Sequence, residues 1–148
     1  MKPQHRRDFL KTTSILAVLS TMAKGQQNTT PTLLYIGTYS SPEGPEGSKG
    51  NGEGIYLFEM NPSTGALKQR EVFKNDANPS WLALDRSGTH LYAANETSTY
   101  KGAKSGSVSA YSVNRANGRL TLLNTVSSEG AGPAHLSIHP SGKWVLVA

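Results

Sequence analysis

Two segments of the sequence recur at nearly the same spacing, and this repeat constrains the fold more than any other feature. Residues 54–67 recur as residues 107–120, an offset of 53, and residues 78–94 recur as residues 132–148, an offset of 54. The turn glycines stay in register in both pairs. Two separate blocks with nearly one spacing indicate an internal repeat, which chance similarity between β-rich segments would not produce.

Each full repeat is predicted to contain four short strands joined by turns. Apolar β-branched runs mark the strands, and Gly, Pro and Asn clusters mark the turns. No segment beyond residue 25 has a sustained 3.6-residue apolar period, so little helix is expected. A repeated four-stranded unit of about 50 residues is typical of a propeller blade, so the sequence predicts an all-β propeller. In the complete repeat the strands are Trp81–Leu84, Leu91–Asn95, Val108–Val113 and Leu120–Val126.

The first repeat is predicted to be one strand short. It has three candidate strands, Leu33–Tyr39, Ile55–Met60 and Ala66–Phe73. An innermost strand is missing because only a polar linker, residues 26–32, precedes them. We expect the far end of a longer chain to supply that strand and close the ring, which would remove an exposed sheet edge.

The last repeat is predicted to be a hairpin, residues 132–148. A strand around Leu136–Ile138 is followed by turn residues His139–Gly142. The run Trp144–Val147 is continuously apolar, which is typical of a strand covered on both faces. Because the sequence stops within this run, we expect it to be the N-terminal fragment of a longer protein.

These blocks together resemble the opening of the lactonase family of seven-bladed β-propellers. That family includes bacterial 6-phosphogluconolactonases and fungal carboxymuconate-lactonising enzymes. The resemblance implies cleavage or formation of a lactone ring, usually without a bound metal. It covers about two and a half of the seven blades, as residues 33–75, 78–130 and part of a third, 132–148. The residues that carry it are Leu34–Tyr39, Gly54–Phe58, Asn61–Leu67, Asn78–Leu84, Leu91–Glu96 and Gly132–His135.

Residues 1–25 have the pattern of a twin-arginine signal peptide. Arg6-Arg7 precede Phe9-Leu10-Lys11, a short apolar run at residues 15–19, and small residues around Ala23–Gly25. We therefore expect the twin-arginine export machinery to carry the protein to the periplasm or outside the cell. The apolar run is far shorter than the roughly 20 residues needed to span a bilayer, so no membrane anchor is predicted. The alternative is a mobile basic tail or an N-terminal helix.

The signal segment also accounts for most of the positive charge. It holds five of the 15 Lys and Arg residues and one of the 10 Asp and Glu residues, which leaves a net charge of +1 elsewhere. No basic cluster interleaved with aromatic residues follows, so no nucleic-acid partner is predicted.

The absence of cysteine excludes thiol catalysis, thiolate metal ligands and disulfides. No carboxylate pair or His cluster has metal-ligand spacing, and no cofactor is predicted.

Propeller geometry places His135 and Glu96 on one face. His135 opens an innermost strand and Glu96 follows a second strand, and the loops at these two positions share a face. An imidazole at the mouth of the channel suits general acid–base catalysis. Glu96 would orient that imidazole, act as a base or contact substrate hydroxyls. His135 and Glu96 are thus the predicted catalytic residues, the alternatives being a hydrogen-bonded wall residue and a solvated loop carboxylate.

Other candidates are assigned structural places. Trp81 occupies the slot equivalent to His135 in the preceding repeat, which favours packing at this position. His139 aligns with Asp85, and both are predicted turn residues on the opposite face. His90 is predicted to lie at a strand edge. Three arginines, Arg86, Arg115 and Arg119, also fall in turns on that opposite face.

The predicted activity is hydrolysis of a sugar or related lactone in the central channel. It needs an activated water and a group that stabilises the developing oxyanion. No arginine falls on the predicted channel face, and the resemblance implies that the missing blades supply the cationic groups, so we expect this fragment alone to be inactive. An exported protein would not meet a cytosolic sugar phosphate, which leaves the lactone class as the expected substrate. The alternative is a non-catalytic exported propeller that binds a small ligand or a protein partner.

Overall fold

The computed structural model describes residues 32–42 and 49–148, which form β-strands, turns and loops. The predicted signal peptide, residues 1–25, lies outside the described residues, as does the predicted linker up to residue 31. Within the described ranges no helix is long and apolar enough to cross a membrane. The strands are β1 (Thr32–Ile36), β2 (Gly54–Met60), β3 (Leu67–Lys74), β4 (Pro79–Leu84), β5 (His90–Asn95), β6 (Ser107–Val113), β7 (Leu120–Ser127), β8 (Leu136–Ile138) and β9 (Val145–Val147).

The strands form three antiparallel sheets in chain order. The first sheet is β1-β2-β3, the second is β4-β5-β6-β7, and the third is the pair β8-β9. The second sheet is the predicted four-stranded blade. The first sheet has three strands, as predicted, and its β1 aligns with β5 rather than with the inner strand β4. The fold class predicted from the repeat is therefore confirmed.

The repeat is also present in the backbone geometry. Gly65 and Gly118 have φ values of 71° and 77°, and Gly88 and Gly142 have values of 67° and 70°. These are the left-handed values that glycine adopts without a Cβ penalty. The ladder between the last two strands of each of these two sheets shifts at an equivalent place, between residues 57 and 58 in the first sheet and between residues 110 and 111 in the second. Turn residues and bulges thus repeat together with the apolar pattern.

The turn between β4 and β5 is built around Asp85. Its carboxylate accepts hydrogen bonds from the hydroxyl of Ser87 at 2.7 Å and from the N–H groups of Thr89 and His90 at 2.8 and 3.1 Å. Burial opposes ionisation, but these bonds outweigh it and hold the pKa of Asp85 well below its usual range. His139 closes the equivalent turn with its backbone carbonyl. The turn roles of Asp85 and His139, and the place of His90 at the start of β5, are confirmed.

The core lies between the sheets because β5 is apolar on both faces. Leu91 and Ala93 point to the first sheet, where they pack with Ile55, and all three are buried. Ala94 points the other way and packs with Leu136 of β8. Burying an Ile or Leu side chain stabilises the fold by about 1.5–3 kcal/mol. These two interfaces hold the three sheets side by side.

The prediction that Trp144–Val147 is covered on both faces is wrong for the part of the chain described here. Trp144 is 67% exposed and Leu146 is 58% exposed. The reason is that β9 pairs only with β8 within residues 32–42 and 49–148, so no further strand or sheet covers it.

Gly118 offers a test of how closely the first two sheets pack. A Cβ at Gly118 would lie 2.8 Å from Cδ1 of Leu33 and 3.1 Å from Cδ2 of Leu57, whereas a Cβ at Gly65 meets nothing within 4 Å. Both positions have positive φ, so Gly→Ala should cost about 1 kcal/mol at each. We expect Gly118→Ala to cost about 1–3 kcal/mol more than Gly65→Ala, measured by urea unfolding of the full-length protein. Equal losses would show that the two sheets do not pack tightly at this turn.

Candidate functional site

Glu96 is fixed by both its backbone and its side chain. It follows β5, and its N–H donates to the carbonyl of Asn78 at 2.9 Å, while the Asn78 side-chain amide donates to the Glu96 carbonyl at 3.1 Å. Its Oε2 accepts hydrogen bonds from the Tyr39 hydroxyl at 2.9 Å and from the Ser80 hydroxyl at 2.7 Å. The carboxylate is therefore held in place by two donors and is not merely solvated.

Tyr39 is a member of this site that the sequence interpretation missed. The hydrogen bond to Glu96 raises the pKa of Tyr39, and partial burial and the negative charge of Glu96 add to the effect. The tyrosine therefore keeps its proton near neutral pH and acts as a donor. Pairing registers make Tyr39 the counterpart of Glu96, because Leu34 pairs with Phe58 where Leu91 pairs with Tyr111.

His135 lies against Trp81, the residue in the equivalent slot of the preceding repeat. The ring centroids are 4.4 Å apart with planes tilted by 50°. Nε1 of Trp81 donates to the carbonyl of Leu136 at 2.9 Å, which ties the start of β4 to the start of β8. The backbone of His135 pairs with Ala148, so the main chain is ordered while the side chain is exposed. Neither ring nitrogen of His135 hydrogen-bonds another described residue.

Tyr39, Ser80, Trp81, Glu96 and His135 form what we call the inner-strand cluster. Glu96 lies beside the start of β4, and His135 lies at the start of β8. Both are therefore at the same end of the sheets, as the sequence predicted. The two side chains do not hydrogen-bond each other. The link between them runs through neighbouring residues, since Ser80 contacts Glu96 and Trp81 contacts His135.

The predicted turn arginines lie at the opposite end of the sheets. Arg86 is in the turn between β4 and β5, and Arg115 and Arg119 are in the turn between β6 and β7. Arg119 pairs with Glu71 at 3.1 Å across the first two sheets. Within the described chain, no group of three or more His, Asp or Glu side chains could hold a metal ion.

The inner-strand cluster combines groups that suit acid–base chemistry on a hydroxylated substrate. A carboxylate held by two hydroxyl donors keeps free lone pairs for substrate hydroxyls. An exposed imidazole whose nitrogens make no bond within the described chain can accept or donate a proton at a bound molecule. The indole face beside it gives an apolar wall.

Comparison with known proteins places these features in context. Residues 33–148 match the model of the family described as Lactonase, 7-bladed beta-propeller. The 6-phosphogluconolactonase of Bacillus subtilis is 33% identical over 114 residues, which cover 77% of this chain and 29% of that protein. The chain thus spans less than a third of the length of this relative.

Two solved structures that resemble this chain are also described as lactonases. A candidate 6-phosphogluconolactonase from Bacteroides uniformis superposes with a TM-score of 0.65 at 30% identity, over 79% of this chain and 30% of that one. The periplasmic gluconolactonase of Pseudomonas aeruginosa superposes with a TM-score of 0.64 at 26% identity, with the same coverage.

Proposed function

The chain belongs to the lactonase family of seven-bladed β-propellers, and on that premise we propose that the full-length protein hydrolyses a sugar or related lactone at the end of the sheets where Glu96 and His135 lie. The observation that carries this proposal is the inner-strand cluster. It holds a fixed carboxylate and an exposed imidazole in a part of the chain that the family model covers.

In the proposed reaction, water adds to the lactone carbonyl carbon and the ring ester bond breaks. His135 takes the proton of the attacking water and then returns it to the ring oxygen, which leaves as the hydroxyl group of the product hydroxy acid. Glu96 binds substrate hydroxyls, since it does not contact the imidazole it was predicted to orient. The oxyanion needs donors that the described residues of the cluster do not supply, so the isolated fragment is expected to be inactive.

The substrate we propose is an unphosphorylated aldonolactone. Glu96 is the charged residue of the inner-strand cluster, and a fixed carboxylate repels a phosphate group. One solved relative is described as a periplasmic gluconolactonase, which fits a lactone met outside the cytosol. The relatives described as 6-phosphogluconolactonases support the lactone ring but name a phosphorylated sugar.

A lactone panel tests this function directly. Glucono-δ-lactone, 6-phosphogluconolactone and γ-butyrolactone are each mixed with full-length protein in a pH-stat, and spontaneous hydrolysis is subtracted. We expect acid release above background to be fastest with glucono-δ-lactone. Binding of glucono-δ-lactone without acid release would favour a non-catalytic propeller instead.

We also propose that residues 1–25 direct export through the twin-arginine machinery to the periplasm or beyond. The double variant Arg6→Lys, Arg7→Lys should move most of the protein to the cytoplasm in a bacterial host, as measured by immunoblot of cell fractions. Lys2→Ala, which leaves the arginine pair intact, is the matched control. An unchanged distribution in the double variant would show that the pair is not an export signal.

A further inference from the structure

We propose that the cleft between the first and second sheets, whose lining includes none of the inner-strand cluster, is a second binding site that takes a neutral saccharide or similar polyol. The cleft has a volume of about 980 Å³ and is lined by residues of both sheets. This volume is at the upper end of the range typical of small-molecule sites. None of the five residues of the inner-strand cluster lines it.

A network of buried amides and hydroxyls forms the floor of this cleft. Asn75, which follows β3, donates through Nδ2 to Oδ1 of Asn95 at 3.2 Å and to the Tyr111 hydroxyl at 2.9 Å. Asn95 in turn donates to the hydroxyls of Ser107 and Ser109 at 3.0 and 2.8 Å. Asn95, Ser107 and Ser109 are each at most 2% exposed. The floor is thus a built, rigid polar surface and not a row of mobile surface side chains.

Two hydroxyl groups of this floor have a proton with no acceptor in the described chain. The Tyr111 and Ser107 hydroxyls each accept a hydrogen bond from an asparagine amide, and neither donates one. Tyr111 is 6% exposed and Ser107 is 1% exposed. A buried donor without an acceptor costs free energy, so a ligand oxygen that accepts from these two hydroxyls would gain stabilisation here. Ligand hydroxyl and ether oxygens are acceptors of this kind.

The charges at the rim favour a neutral ligand. Lys74 and Asp76 are the charged residues among those lining the cleft, and their formal charges cancel. Lys74 also lies 3.8 Å from the carboxylate of Glu53, a negative charge next to the rim. The ring of Tyr100 and the side chain of Leu122 add apolar surface to the hydroxyl-rich wall. This mixture of hydroxyls, amides and apolar patches without net charge suits a sugar.

The matched experiment uses saturation-transfer NMR and titration calorimetry on the full-length protein with maltose and D-glucose as probes. We expect binding of at least one probe, weaker binding of glucuronate and glucosamine, and about a tenfold loss of affinity in Tyr111→Phe and in Ser107→Ala. Tyr92→Phe is the control, because Tyr92 packs toward the third sheet. His135→Ala should leave the affinity unchanged, so this site and the proposed lactonase site succeed or fail separately.

Three outcomes would overturn the proposal. One is the absence of binding by all four sugars, which would mean that water alone completes the two hydroxyls. Another is wild-type affinity in both Tyr111→Phe and Ser107→Ala. The third is loss of binding in His135→Ala, which would place the sugar in the inner-strand cluster. If Tyr111→Phe lowers the melting temperature sharply, Ser107→Ala carries the test, since it removes one atom without changing an aromatic contact.

Discussion

His135→Ala in the full-length protein is expected to lower kcat for lactone hydrolysis by about two to four orders of magnitude, the range typical of a lost general base. The imidazole is exposed, is positioned by the ring of Trp81, and makes no hydrogen bond to the described chain that it would have to give up on binding substrate. Its removal should therefore act on proton transfer and leave KM and thermal stability nearly unchanged.

The chain offers a matched control for this experiment. His139 is also exposed, but it lies in the turn at the opposite end of β8, where its Nδ1 is 2.8 Å from the Ser141 hydroxyl. His139→Ala should retain wild-type kcat. Wild-type kcat in His135→Ala would instead make His135 a wall residue, which is the alternative that the sequence left open.

Glu96→Gln serves as a companion variant that separates two roles of the cluster. If the carboxylate binds substrate hydroxyls, the main effect is a higher KM, because the amide presents one acceptor where the carboxylate presents two. If it served as the base, kcat would fall as in His135→Ala.

The sheets could be predicted from the sequence because the repeat is visible in short local patterns along the chain. The offsets of 53 and 54 align turn glycines and apolar alternation, and these determine where strands start and which face they bury. Strand ends agree with the prediction to within two residues, except that β1 stops at Ile36 rather than at Tyr39. A strand ends where its pairing with the neighbouring strand ends, and the sequence of one strand alone does not show where that is.

The candidate site was predicted only in part because it depends on contacts between repeats. Glu96 and His135 could be placed on one face from strand order alone. Tyr39 could not, because it matches Glu96 at an offset of 57, outside the spacing that defines the other blocks. The contacts of Ser80 and Trp81 could not be predicted either, although Trp81 was assigned a packing role, since their partners are residues of other strands and loops. The rotation between neighbouring sheets sets these contacts, and the repeat period does not encode it.

The largest effect on stability is expected at Asn78, the residue that joins the first sheet to the inner-strand cluster. Asn78 is fully buried and has a φ of 54°. Its Oδ1 accepts hydrogen bonds from the N–H groups of Ser40 and Ser41, and its Nδ2 donates to the carbonyl of Glu96 at 3.1 Å. Asparagine is among the few residues that tolerate this left-handed backbone while offering both an acceptor and a donor.

Asn78→Ala should therefore lower the free energy of unfolding by about 3–5 kcal/mol, because it strains the backbone and leaves buried N–H groups without an acceptor. Asn78→Gly separates these two causes. Glycine holds the same backbone at Gly132, the equivalent position of the next repeat, with a φ of 64°. The glycine variant should lose the side-chain bonds but recover about 1 kcal/mol relative to alanine.

Urea unfolding of the full-length protein measures these losses, and Asn124→Ala is the control. Asn124 is an exposed residue of β7 and should change stability by no more than about 0.5 kcal/mol. The Asn78 variants should also raise KM for the lactone, because Asn78 positions the backbone of Glu96 from both sides. A loss in Asn78→Ala as small as that in Asn124→Ala would show that the loop after β1 and the end of β5 are held together without this side chain.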